Sequence, residues 1–303
     1  MAEASGSRQA LKYVEEDVYG TTPATPVFSH FRHNTNSLNL TKDSFQSEEL
    51  RSDRQIADFR HGARQVGGDV VSELSEGSFD DMLAAALCGE WDGDVLKAGI
   101  LRRSYTIERH FEDIGQYLRY TGMEVNTLQL QGSVGGMVML TFGFLGRNMD
   151  TSETAVAGAT YPAAPTSSPM DLLSGEVSEG GTEIGVATEI SLNLSNGMEV
   201  RNVIGGGGLT LRPSIGRSNV TGTMDAYFGN AALYQKFINE SASSVEFEAT
   251  DGVGGSYTIL LPRVKYTGGT VDTPGEGPIA ISMPYQALLD PVTGTNIQIT
   301  RNS

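Results

Sequence analysis

The tetrapeptide SLNL occurs at Ser37–Leu40 and again at Ser191–Leu194, 154 positions apart in a chain of 303 residues. The same kinds of segment follow each copy in the same order: an irregular charged or Gly-rich stretch, an alternating strand pattern, a short amphipathic helix, and three or four more strands. SVEFEA lies opposite SYTIER, YTGGTV opposite YTGMEV, and GPIAISMPYQAL opposite GMVMLTFGFLG. The offset drifts from 154 at the start to about 150 at the helix and about 140 at the end, as small loop deletions produce. A repeat of this length predicts two tandem domains: residues 1–150 with an N-terminal arm, a linker or excursion over 151–185, and 186–303 with a C-terminal arm.

The periods within each half are mostly those of strands. Tyr105, Ile107 and Phe111 share one face, as do Leu118 and Tyr120, and Val138, Leu140, Phe142 and Phe144. Gly135-Gly136 marks a turn. Phe79, Met82, Leu83, Ala86 and Leu87 form one helical stripe, with Ser78 as its N-cap, Asp81 in capping-box position and Gly89 as its stop. A second helix has Asn230 as cap and Leu233, Tyr234, Phe237 and Ile238 as its apolar face.

Residues 41–66 mix both charges without a clean period, which predicts an exposed loop or long hairpin extension. It is either a solvated surface loop or an arm that docks on a neighbouring subunit through Lys42, Asp43, Glu48, Glu49, Arg51, Asp53, Arg54, Asp58, Arg60 and Arg64. Its counterpart in the second half, within 197–216, carries Arg201, Gly205, Gly206, Gly207, Gly208 and Arg212.

Formal charge is −16, and carboxylates exceed Lys plus Arg in both halves, 22 to 14 and 15 to 7. Phosphate binding rests on Lys and Arg, so specific nucleic-acid affinity is not expected; the charge serves solubility, or repels nucleic acid. The single cysteine, Cys88, excludes an intrachain disulfide and reads as a small buried hydrophobe. No secretory signal is read in MAEASGSRQA, and no apolar run reaches the roughly 20 residues of a membrane span.

Catalytic and metal signatures are weak. His30 and His33 are spaced HxxH but follow a Pro-rich lead-in, and with His61 and His110 they read as surface or interface histidines. Gly205–Gly208 lacks the GK[ST] of a phosphate loop. Asp92 and Asp94 lack a twelve-residue calcium loop. Glu48-Glu49 and Asp80-Asp81 are explained by solvation and a helix N-terminus. No enzyme and no cofactor are expected.

The arm GTTPATPVF, the charged loop 41–66, the helix SFDDMLAAAL and the strands SYTIERHF and GMVMLTFGFLG together resemble the major tail tube proteins of long-tailed bacteriophages, most of all the branch with tandem tail-tube domains. The resemblance implies a mainly β fold of two tandem tail-tube-like β-sandwich domains. Each has one short flanking helix and contributes strands to a closed inner β-barrel in the assembled ring. It implies stacked rings forming a hollow conduit for the genome, with three chains supplying six domains per ring. The partners it implies are further copies of the chain, a tape-measure protein, a tail terminator and distal tail proteins. Double-stranded DNA passes through without specific binding, and no membrane is involved. Its place would be the virion tail, after synthesis in the bacterial host cytoplasm. Residues 1–30, 41–66 and 197–216 would dock on the next ring. Two other readings remain: a capsid decoration or host-surface-binding β-sandwich, and a β-fold carbohydrate hydrolase, which the lone Trp91 disfavours as a sugar platform.

Overall fold

The computed structural model describes residues 3–173, 175–273 and 275–302. The principal elements of the first half are β1 (Gln9–Glu15), β2 (Asn39–Gln46), β3 (Phe59–Glu73), α1 (Asp80–Ala86), β4 (Tyr105–Phe111), β5 (Gln116–Ser133), β6 (Met139–Gly146) and β7 (Asn148–Ser152). Those of the second are β8 (Ala187–Ser195), β9 (Asn219–Tyr227), α2 (Ala232–Ile238), β10 (Ser243–Thr250), β11 (Ser256–Tyr266), β12 (Thr270–Asp272), β13 (Ala280–Ala287) and β14 (Gln298–Asn302). The fold is a mainly β sandwich. One sheet runs through both halves in the order β2-β3-β6-β5-β8-β9-β13, and β13 pairs in turn with β11 and β12; every pairing is antiparallel.

Ladder registers recur between the halves. Asn39 faces Gly67 as Asn193 faces Thr221, and Val70 faces Phe142 as Met224 faces Met283. Leu130 faces Leu140 as Val271 faces Ile281. Tyr105 faces Met123 as Ser243 faces Val264, and each ladder slips at the next step, before Ile107 and before Val245. The matching positions are 154 apart for β2 and β3 against β8 and β9, and 141 apart for β5 and β6 against β11–β13. One sequence match is corrected: YTGGTV does not stand where YTGMEV stands. Tyr266 faces Tyr285 as Val125 faces Phe144, so Tyr266 takes the place of Val125 and Tyr120 has a different counterpart.

Alternation writes the core. In β13 every second residue is buried, Ile281, Met283, Tyr285 and Ala287. Buried apolar side chains form one connected cluster that spans both halves, from Leu11 to Ile299. At roughly 2 kcal/mol for each fully buried large side chain, this cluster is the main favourable term. β5 is a single strand of 18 residues, where the sequence shows two separate runs. It passes from the outer layer, paired with β4 and β7, to the shared sheet, paired with β6 and β8. The crossing falls at Gly122, whose φ of 67° lies in the left-handed region that glycine tolerates.

The helices are where expected, with differences at their ends. Ser78 does not cap α1; Phe79 holds that position with no side-chain hydrogen bond. The Ser78 hydroxyl is taken instead by Ser75 and Ser167, a polar cluster that also receives the Arg32 guanidinium. In α2 the N-cap position is held by Ala231 rather than Asn230, whose carboxamide still accepts the N–H of Ala232 at 2.8 Å, and Ile238 is 57% exposed rather than part of the packed face. The stripe of α1 is wholly buried.

Residues 153–170 lie along the first half, whereas Asp171 and Val177–Glu179 pair with the second-half strand β10. Tyr161 stacks on Phe28 with ring centroids 5.5 Å apart, and Met170 is buried between Leu74 and Val138. β14 pairs with β11 on one edge and with Val95–Lys97 of the first half on the other.

Candidate assembly surfaces

The halves meet at a seam between β5 and β8. The second SLNL is the seam strand: Leu192 faces Leu130 and Leu194 faces Leu128, all four buried. The buried Asn196 side chain donates to Ala86 O at 2.9 Å and Val125 O at 3.1 Å, which fixes the end of α1 against the seam. The first SLNL enters β2, which pairs only with β3 among the described residues. At the far side, β12 likewise pairs only with β13 among the described residues. The shared sheet therefore has a free strand at each end, a feature that single soluble chains normally blunt or cover.

Below the seam an ion-pair network closes the joint. Glu124 is 1% exposed and takes Arg102 from the first half and Arg212 from the second; Arg102 also donates to Pro213 O at 2.9 Å. A buried carboxylate is costly unless paired, so this network holds the base of the second-half hairpin against the first half. Arg102 and Glu124 escape sequence reading because they lie 22 positions apart and meet Arg212 only through the fold.

The first-half stretch 41–66 is a true hairpin, β2 against β3, and its strands show no period because both faces are wet. Arg51 holds Asp53 at 2.8 Å, Asp58 lies 3.6 Å from Arg60, and Gln65 donates to Asp43 at 2.9 Å. Exposed pairs of this kind contribute little stability. Lys42, Glu48 and Glu49 are exposed on the same arm. Its tip also presents Leu50, 99% exposed, and Ile56, 64% exposed, which charge-based reading passed over. Arg64 instead turns inward to Asn148.

The second-half stretch 197–216 is a matching hairpin, with short strands Glu199–Arg201 and Leu211–Ser214, and the paired residues that bracket it, Asn193 and Thr221, are as far apart in sequence as Asn39 and Gly67. Its turn and second limb fold onto the first half of the same chain: Gly208 O accepts the N–H of Arg64 at 2.8 Å, and Thr210 donates to Gly146 O at 3.1 Å. Arg201 donates to Arg212 O across the hairpin. Gly205 and Gly206 fall in the turn with Gly207, and Gly208 takes the place of Arg54. Both have positive φ, 77° and 61°, so the glycine relieves a strain that Arg54 accepts. Val203 and Ile204 stay exposed at this second tip. The N-terminal arm is likewise folded into its own half, with Leu11, Tyr13, Phe28 and Phe31 buried.

Facing away from the core, the shared sheet shows mostly hydroxyl and amide groups, including Thr127, Gln129, Gln131, Thr141, Ser191, Asn193, Thr221, Thr223 and Gln286. Its carboxylates there include Asp69, Glu73, Glu189, Asp225 and Asp272, with Lys265 as a base. Most of the net negative charge lies elsewhere.

The other titratable groups have structural surroundings. His33 sits between Gln9 Nε2 at 3.0 Å and Phe31 O at 3.2 Å; burial holds its pKa below the usual value, with Arg109 adding to the shift. His30 is extended rather than helical and is also lowered, by burial and Lys12. Burial pushes the Cys88 thiol up. Asp80 takes Tyr257 and Arg301, and Asp94 takes Arg301 at 3.1 Å. Among the described residues, no group of three or more His, Cys, Asp or Glu side chains is placed to hold a metal ion.

No helix among the described residues is long and apolar enough to cross a membrane, which says nothing of strands. A search of curated proteins finds no match. The phage tail tube protein family matches residues 6–287, nearly the whole chain. With that match over a mainly β sandwich, the chain belongs to the phage tail tube protein family, a structural family of the virion.

Proposed function

We propose that this chain is a tandem tube subunit: two copies of one tail-tube domain, residues 1–150 and 186–303, joined through 151–185. The observation that carries this reading is the recurrence of ladder registers between the halves, down to the slip before Ile107 and before Val245. The seam inside the chain then stands for one of six junctions in a ring, and three chains close the ring with pseudo-sixfold symmetry. A head-to-tail contact that closes gives a ring, and closure leaves no free strand edge.

Rings stack through the hairpin tips, where Leu50, Ile56, Val203 and Ile204 stand exposed. Charged residues of the first arm, Lys42, Glu48, Glu49, Arg51, Asp53 and Arg54, flank that contact. The polar face of the shared sheet lines the lumen. Hydroxyl and amide groups with spaced carboxylates outnumber the one base there, Lys265, and offer DNA phosphate little cationic hold, so the genome slides through. Self-association is the function, without catalysis or cofactor. The tape-measure protein fills the lumen before ejection, and terminator and distal tail proteins cap the ends. The subunit is made in the host cytoplasm and resides in the virion tail.

Electron microscopy of the concentrated protein, with top views classified for symmetry, tests this. Hollow tubes whose rings hold three chains and six similar lobes are expected. Rings of six chains would keep the tube and remove the tandem account. Compact particles that decorate capsids or host surfaces without polymerising would favour a binding protein instead.

A further inference from the structure

Resting on the tube reading, we infer that the contact between neighbouring chains reuses the register of the seam inside each chain, with its closing ion pair inverted. Inside the chain, β8 lies on β5 with Leu192 facing Leu130 and Asn193 facing Gln129. β2 occupies the place of β8, and β12 the place of Gln129–Gln131, by the registers of their own ladders. Transposed to two copies, Leu38 of one chain faces Val271 of the next, Asn39 faces Thr270, and Ser37 faces Asp272. Val271 is 38% exposed where its counterpart Leu130 is 4% exposed, so the incoming strand would complete its burial.

The ion pair follows by the same transposition. Glu124 faces Leu145 as Lys265 faces Gln286, so Lys265 stands where the buried carboxylate stands. Phe45 faces Arg60 as Glu199 faces Ser214, which puts Asp58 where Arg212 stands. The intrachain pair Arg212–Glu124 thus becomes Asp58–Lys265 between chains. Among the described residues of one chain, the Asp58 carboxylate has Arg60 as its ion-pair partner and accepts the Phe59 N–H, and it forms no ion pair to Lys265. The inversion also rejects wrong partners. β8 on a neighbour's β12 would bring Arg212 to Lys265, and β2 on a neighbour's β5 would bring Asp58 to Glu124. Both are like-charge encounters, which cost affinity and fix head-to-tail order.

The test combines oxidation and charge exchange on the full chain. Asn39→Cys with Thr270→Cys should give disulfide-linked dimers and trimers on mild oxidation. Asn39→Cys with Asp272→Cys should not, because two residues of register move the Cα atoms beyond disulfide reach. The native Cys88 is buried and stays out of the reaction. Asp58→Lys or Lys265→Asp alone should raise the concentration needed for rings about tenfold, and the two together should restore it. Both side chains retain solvent contact in the single chain, so its thermal unfolding should not move. Equal linkage in both cysteine pairs, or a double charge variant no better than the singles, overturns the inference. Rings seen by microscopy without the Asn39–Thr270 link sink this register and leave the tube reading standing. Absence of both rings and links sinks the two together.

Discussion

Ser37 and Ser191 make the same hydrogen bond: each hydroxyl accepts the backbone N–H of the residue 32 positions later, Asp69 at 2.9 Å and Thr223 at 3.3 Å. The residue before each donor is a glycine, and each glycine runs hard against the carbonyl of its serine. A Cβ on Gly68 would lie 2.5 Å from Ser37 O, and one on Gly222 would lie 2.1 Å from Ser191 O. The first residue of each SLNL is therefore held by a close approach of two strands that only glycine permits.

Alanine at either glycine should destabilise the chain by about 1–3 kcal/mol, since backbone atoms, not a movable side chain, stand in the way. Gly68 carries a further penalty from its φ of 136°. Gly185→Ala, with nothing within 4 Å of the added carbon, serves as the neutral control. Urea unfolding followed by circular dichroism measures all three. Equal midpoints for the three variants would contradict the steric account.

Glu124 should become a liability once its partners are gone. Arg102→Ala with Arg212→Ala leaves a carboxylate 1% exposed and unpaired, at an expected cost of about 3–5 kcal/mol. Adding Glu124→Gln to that background should recover part of the loss, because a neutral amide is cheaper to bury. If Glu124→Gln made the double variant worse, the buried charge would not be the cause.

Stability should fall on the acid side of neutrality. The folded pKa of His33 lies below its ordinary 6.5, chiefly through burial. The unfolded chain therefore takes up the proton first as pH falls through 6.5, and folding loses free energy from there down to the lower folded value. His30 and His110 shift in the same direction and add to the slope. Comparing unfolding midpoints at about pH 7.5 and 5.5 should show the loss, and His33→Gln should reduce it. An unchanged slope in that variant would place the effect on other groups.

Replacing Leu50 and Ile56 by Asp should leave fold and rings unaltered, within about 0.5 kcal/mol of stability, because neither side chain is buried. Stacking into tubes should fail. Deleting residues 48–57, which spares Asp58, should act likewise. Tubes of normal length from either variant would remove the hairpin tip from the contact between rings.

Much of this was legible in the chain. The α1 stripe of Met82, Leu83 and Ala86 is buried as its spacing predicts, and the alternation of Val138, Leu140, Phe142 and Phe144 marks a core face. The length and charge of 41–66 pointed to an exposed loop or a long hairpin extension, and the β2–β3 ladder makes it the hairpin. Other features were not legible. Ser78 matches a capping box in sequence, yet Ser75, Ser167 and Arg32 take its hydroxyl from elsewhere in the fold. Local likeness misled at YTGGTV, because a string of similar residues does not carry strand register.

By itself the sequence determined the mainly β character and the places of the two helices, because these follow from side-chain period and local turn chemistry; the strand Gln9–Glu15, in a stretch without a clear period, it did not mark. The tertiary structure alone decided which strands pair and in what register. It set β5 against β8, gave Glu124 its two arginines and, among the described residues, left β2 and β12 unpartnered on their outer edges. Strand partners are distant in sequence, and any alternating strand can pair with several others. Only burial of one face and the geometry of the connections select among them.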